Sequence, residues 1–220
     1  MSRPQIGQKA PLLSVSNWTQ GTPTNFDQLT GKVVLVEVFQ VNCPGCFLYA
    51  LPRAINLYRQ YSAQGLSVLG VATAFEDFEK NTLENLLRLV NKNEVIGETL
   101  RLLGQNGELC DAKLSYKIPF PLAMDRLKNR QNDVNNDEVT NFIKNRIPHF
   151  KQYPNDHQVQ IKQQIHSYLQ AQLYHAETFN RFDLQGTPSY IVVDRKGILR
   201  ACEFGAFPEL EDLLIKLLQE

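Results

Sequence analysis

The stretch Val33-Val34-Leu35-Val36-Glu37-Val38-Phe39-Gln40-Val41-Asn42-Cys43-Pro44-Gly45-Cys46 decides how this chain folds. Apart from Glu37, its first seven residues are all apolar and mostly β-branched. Such a run reads as a strand covered on both faces, in the middle of an α/β sheet. At its C-terminal end stand two cysteines separated by Pro-Gly. Beyond them Leu48, Leu51, Ile55, Leu57, Tyr58 and Tyr61 recur at helical spacing until Gly65 stops the segment. Pro52 lies inside that segment and predicts a kink near residues 48–52. Leu66-Ser67-Val68-Leu69-Gly70-Val71-Ala72 is a second buried strand, so strand, helix and strand form a right-handed βαβ unit.

The position of the cysteine pair has chemical consequences. A helix N-terminus carries unpaired N–H groups and the positive end of the helix dipole, and both favour a thiolate. With Cys43 as the N-cap, Pro44 falls at the first helical position, where its missing N–H costs nothing. The two intervening residues bring Cys46 one turn along, close enough to close a small disulfide. Cys43, outermost, is the expected nucleophile, and Cys46, more buried, is expected to resolve the mixed disulfide. One plainer reading is half of a zinc site, which needs a second pair of ligands. Cys110 and Cys202 are far apart in sequence, and His149, His157, His166 and His175 show no i,i+4 pairing with one another. The other is an inert buried pair. The strand–helix context favours redox chemistry.

The rest of the chain sets bounds. It has 220 residues, 43% apolar and 21% charged, which excludes disordered and fibrous classes. Lys plus Arg is 23 and Asp plus Glu is 23, so no global field draws nucleic acid or anionic membrane. No apolar run reaches membrane-helix length, and Met1-Ser2-Arg3-Pro4-Gln5-Ile6-Gly7-Gln8-Lys9 lacks a signal-peptide core. A cytoplasmic protein is expected, or a periplasmic one if a leader was removed. Trp18 sits in a β-like N-terminal stretch, Thr82 to Lys92 is helical, residues 94–104 are a short helix or loop, and Leu122 to Asp125 belong to a short strand. From Asn129 to Gln172, fifteen of forty-four residues are Asn or Gln, yet apolar periodicity persists. It predicts one helix bearing Val139, Phe142, Ile143, Ile147 and Phe150, and a longer one from His157 to Phe182. Arg126, Lys128, Arg130, Lys144, Arg146 and Lys151 make this region basic, as a solvated face or as a dock for an acidic partner. A hairpin strand from Ser189, a turn at Asp194-Arg195-Lys196-Gly197, a returning strand from Ile198 to Phe204 and an amphipathic helix close the chain. Cys202 reads as a small core residue and Cys110 as part of a loop.

Gly7-Gln8-Lys9-Ala10-Pro11, Leu29-Thr30-Gly31-Lys32-Val33-Val34-Leu35-Val36, the Cys43-to-Cys46 motif, Gly186-Thr187-Pro188-Ser189 and Val193-Asp194-Arg195-Lys196-Gly197 together resemble the thioredoxin-like superfamily. The nearest branch is similar to the TlpA-type redoxins and their AhpC/TSA-type peroxiredoxin cousins. The match is good over residues 7–75 and 183–220 and loose over 80–182. The resemblance implies a cis Pro188 facing the disulfide, with the backbone at Thr187 and Pro188, and the Pro44-Gly45 dipeptide, meeting a bound substrate chain. It also implies a proton-relay role for Glu37, an acid six residues before Cys43 where such proteins often place Asp behind the resolving thiol. The alternative for Glu37 is a wet edge or a lysine partner. Three departures stand out. Asn42 replaces the usual Trp, Pro-Gly reverses the common Gly-Pro, and Gln40 occupies the position where a peroxiredoxin has its Thr.

The expectation is therefore an α/β thioredoxin fold, a central mixed sheet flanked by helices. Residues 1–220 form a single domain with an N-terminal β extension and a helical insertion over about residues 126–182. The expected activity is thiol–disulfide exchange with protein substrates and a further redox donor, without metal or organic cofactor, nucleic acid or membrane insertion. The resemblance adds antioxidant activity to that expectation. The insertion carries no cysteine from Asn129 to Gln164 and is expected to set partner choice. The rivals are a peroxiredoxin-like thiol peroxidase using Cys43, and a non-catalytic redoxin-fold binding module.

Overall fold

The structure is a computed structural model and describes residues 4–130 and 133–220. The leader reading of Met1-Ser2-Arg3, and Gln131 and Asn132 of the Asn/Gln-rich stretch, lie outside the described residues. The chain runs through β1 (Val15–Gln20), β2 (Val33–Phe39), α1 (Leu51–Tyr61) and β3 (Leu66–Ala72). Helices α2 (Leu83–Lys92) and α3 (Gly97–Gln105) follow, then a small hairpin of β4 (Leu109–Cys110) and β5 (Lys113–Leu114), and β6 (Leu122–Asp125). Next come β7 (Leu127–Asn129), α4 (Asn136–Arg146), α5 (Asn155–Ala171) and β8 (Tyr174–Ala176). The chain ends with α6 (Glu177–Arg181), β9 (Ser189–Val193), β10 (Leu199–Phe204) and α7 (Leu210–Gln219). It divides into two compact units, one running to Leu127 and resuming at Ala176, the other Lys128–His175.

In the first unit six strands form one sheet in the order β1-β6-β3-β2-β9-β10. β2 runs parallel to β3, and β3 to β6, while the β1–β6, β2–β9 and β9–β10 pairs are antiparallel. The N-terminal β segment is the edge strand, with Trp18 opposite Ala123. β2 lies between β3 and β9 with all seven residues buried. Its alternation explains why it is apolar throughout. Val33, Leu35 and Phe39 join a core with Leu51, Ile55, Leu210 and Leu214 from α1 and α7. Val34, Val36 and Val38 face the opposite layer, with Phe26, Phe179 and Phe182. The fully buried Asp125 links β6 to this second layer. Its carboxyl accepts from Thr73 Oγ1 (2.8 Å), Thr178 N (2.7 Å) and Phe179 N (3.0 Å).

The second unit has its own small core. Val134, Val139, Ile143 and Ile165 are buried in it, with Phe142, Ile147, Phe150 and Ile161 packed alongside. The single long helix expected from His157 to Phe182 is not formed. α5 stops at Ala171, Gln172 turns extended (ψ 100°), β8 pairs with β7, and α6 starts afresh at Glu177. Ile161 and Ile165 fill the second unit's core, whereas Ala176 and Phe179 belong to the first unit. Two amphipathic helices in phase across a three-residue strand mimicked one. Three of the basic residues are engaged: Arg130 pairs with Glu138, Arg126 lies 3.7 Å from Glu177, and the Arg146 guanidinium stacks 5.3 Å from the Phe142 ring centre.

Candidate active site

β2 delivers the chain to a tight turn in which Cys43 N donates to Gln40 O (3.2 Å) and Cys46 N donates to Cys43 O (3.0 Å). Pro44 and Gly45 are already helical, so Cys43 stands at the helix entrance with Pro44 just inside it. Cys43 and Cys46 are joined in a disulfide with Cα atoms 5.4 Å apart. Cys46 is fully buried and Cys43 half-buried. The Cys46 N–H also points at Cys43 Sγ, 3.3 Å away, where it stabilises a thiolate once the pair is reduced. The kink expected near residues 48–52 is a widened π turn over Cys46–Ala50, in which Leu51 N donates to Cys46 O. α1 proper begins beyond it, with Pro52 in its first turn. Pro52 has no N–H, and its ring crowds the carbonyl four residues back, so the turn that precedes it opens.

The Thr187–Pro188 peptide is cis, and Thr187 O lies 3.6 Å from Cys43 Sγ. Gln40 holds this loop. Thr187 Oγ1 donates to Gln40 Oε1 (3.1 Å), and Gln40 Nε2 donates to Glu76 O (3.3 Å). The residue at the peroxiredoxin Thr position is thus a buried strut. Asn42 has a similar role on the other side of Cys43. It is buried, its N–H reaches Asn81 Oδ1 (3.0 Å), its Nδ2 donates to Asp77 Oδ2 (2.6 Å), and its Oδ1 accepts from Glu98 N (2.7 Å). The N-cap of α3, Ile96, offers no side-chain acceptor, so Asn42 caps that helix from a distance. Gly97, at φ +54°, allows the approach, since a Cβ there would run into the Asn42 amide. Neither tie was visible in the sequence, where Asn42 registered only as a missing Trp and Gln40 as a missing Thr.

Glu37 shares its strand face with Leu35 and Phe39, the face that packs against the Cys46 layer, with Gly70 and Tyr190 as its register neighbours. It is fully buried, and among the described residues neither carboxyl oxygen has a hydrogen-bond partner. The wet-edge and lysine-partner readings are therefore excluded. Burial pushes the Glu37 carboxyl well above the usual carboxylate range, and the Arg53 guanidinium opposes this only in part. Arg53 itself is fixed by Phe207 O (2.6 Å) and Pro208 O (3.1 Å).

Gly45, Tyr49, Arg53, Pro188, Tyr190 and Phe207 line a groove of about 440 Å³ beside the disulfide. Tyr49 is 73% exposed there. The remaining cysteines lie elsewhere. Cys110 is free and exposed in β4; Cys202, in β10, is half-buried, its Sγ 3.5 Å from Phe182 O, so it lines the core and does not sit within it.

Comparison with known proteins agrees with this geometry. The crystal structure of a thiol-disulfide isomerase from Corynebacterium glutamicum superposes with a TM-score of 0.58 at 27% identity, covering 96% of this chain and 97% of that one. The crystal structure of a thioredoxin-like superfamily protein gives a TM-score of 0.58 at 24% identity over 97% of each chain. Protein DipZ of Mycobacterium tuberculosis is 35% identical over 77 residues, 34% of this chain but only 11% of DipZ. The family model for AhpC/TSA matches residues 6–202. With a mixed central sheet, helices on both faces and a Cys43–Cys46 pair at the end of β2, the chain has a thioredoxin-like fold and belongs to the AhpC/TSA family.

Proposed function

We propose that this thioredoxin-like thiol–disulfide oxidoreductase exchanges disulfides with protein substrates through Cys43. The observation that carries the reading is the asymmetry of the pair: a half-buried Cys43 at a helix entrance, bonded to a fully buried Cys46. In the reducing direction the Cys43 thiolate attacks a substrate disulfide, forming a mixed disulfide and expelling one substrate thiolate. Cys46 then attacks Cys43 Sγ, expelling the second substrate thiolate and closing the Cys43–Cys46 disulfide; a separate dithiol donor reopens it. Glu37, buried on the Cys46 side of β2, takes the proton from Cys46 as it attacks. Its raised proton affinity makes it a better base than a surface carboxylate, and assistance of this kind is typically worth about 10²–10⁴-fold. The substrate chain lies against the backbone of Thr187 and Pro188 and over Pro44-Gly45, with an apolar side chain in the groove beside Tyr49.

The proposal extends to organisation and setting. Residues 1–220 act as one redoxin domain whose insertion, Lys128–His175, selects the partner. The exposed Cys110 thiol suits the reducing cytoplasm. The test is a trap. Cys46→Ser, mixed with a disulfide-bonded protein, should accumulate a mixed disulfide at Cys43, because the resolving attack is gone. Failure to form that adduct would remove disulfide exchange as the function.

A further inference from the structure

The widened turn that Cys46 opens leaves the Phe47 carbonyl without a helical donor, and a side chain far away in sequence supplies one. In an ordinary α register Leu51 N–H would reach Phe47 O, but it donates to Cys46 O. In the widened register the donor to Phe47 O would be residue 52, which is proline. Phe47 is buried, so an unanswered carbonyl there is costly. The Tyr116 hydroxyl donates to it at 2.7 Å. The loop bearing Tyr116 is pinned in turn by Asn93, the left-handed residue that ends α2 (φ 60°), whose Nδ2 donates to Leu114 O (2.6 Å) and Tyr116 O (2.8 Å). Burial and the nearby Glu108 push the Tyr116 phenol up, so it remains a donor at physiological pH.

We propose that Tyr116 is a positioning residue for Cys46, its hydroxyl selecting the widened register of the Cys46–Ala50 turn by occupying the carbonyl that Pro52 orphans. In the competing α register Leu51 N–H would itself answer Phe47 O, and the hydroxyl would have no orphaned carbonyl to supply there. The choice matters because Cys46 opens this turn. A one-residue change of register rotates it by about 100° relative to the body of α1 and moves its sulfur with respect to Cys43. The structure holds the widened register with the disulfide closed. On this proposal the register holds the two sulfurs together, so that loss of the hydroxyl shifts the pair toward the dithiol.

This rests on Cys46 being the partner of Cys43 in exchange, but it can be tested without any protein substrate. The full chain, Tyr116→Phe, Pro52→Ala and the double variant are equilibrated with dithiothreitol, and the disulfide fraction is read by thiol labelling. Tyr116→Phe should shift the equilibrium toward the dithiol by about threefold or more. In the Pro52→Ala background, where residue 52 offers an N–H, the same substitution should have little effect. Equal shifts in both backgrounds, or none in either, would overturn the proposal, even if stability falls. Should Tyr116→Phe fail to fold, the double variant decides. A folded double with an equilibrium close to that of Pro52→Ala supports the assignment, and a double that is equally unfolded refutes it. Loss of exchange with proteins while the dithiothreitol pattern holds would count against the proposed function alone.

Discussion

Glu37→Gln should make this protein more stable relative to wild type as pH rises, while slowing its chemistry. Glu37 is fully buried with no hydrogen-bond partner for either carboxyl oxygen among the described residues, and its proton affinity is raised chiefly by burial. Below the ordinary Glu value of about 4.3, native and unfolded chains both hold this proton. Above it the unfolded chain releases the proton while the native protein retains it. The native state then binds more protons than the unfolded one, so stability falls with rising pH, by about 1.4 kcal/mol per pH unit for one group, until the native carboxyl itself ionises. Gln has nearly the same shape and cannot titrate. Its own unpaired amide costs a constant amount that cancels from the slope. The difference in unfolding free energy, variant minus wild type, should therefore climb with that slope above about pH 4.3 and then level off. Urea unfolding of both proteins, with the Cys43–Cys46 disulfide intact, at intervals from about pH 4 to 8 measures it. A difference that is flat with pH, or one in which the Gln protein loses ground, would refute the raised proton affinity of Glu37 behind the redox pair.

Three further outcomes are expected. In the reduced protein, alkylation at mildly acidic pH should label Cys43 before Cys46 and Cys110, because the Cys46 N–H and the helix entrance favour its thiolate; mass spectrometry of partly labelled protein reads the order. Asn42→Ala should cost about 1–3 kcal/mol in urea unfolding, since two hydrogen bonds, to Asp77 and from Glu98 N, are lost at about 0.5–1.5 kcal/mol each. Replacing Lys128–His175 by a short Gly/Ser connection should leave reduction of a small synthetic disulfide intact and impair reaction with the physiological partner; loss of both in a folded variant would place the insertion within the chemistry.

The central βαβ unit was legible because β2 and β3 are buried on both faces and so are apolar almost without interruption, and because a CxxC at a strand end has few other uses. Glu37 was legible for the opposite reason, as one acid in an otherwise apolar run. The end of α5 was not, since neither Gly nor Pro marks Gln172 and the apolar spacing runs on unbroken into α6. The ties made by Asn42, Gln40 and Tyr116 were hidden for another reason. Each joins residues thirty or more positions apart, Tyr116 to Phe47 across sixty-nine, and no local pattern encodes such a pairing. Pro52 signalled a distortion, but only the structure gives its form as a widened turn.

Disulfide exchange through Cys43 is tested most simply by the rate at which the protein accelerates reduction of a disulfide-bonded test protein by dithiothreitol, compared with its Cys43→Ser variant. Wild type should give clear acceleration and Cys43→Ser none. No acceleration by wild type, or equal acceleration by the variant, would contradict exchange through Cys43.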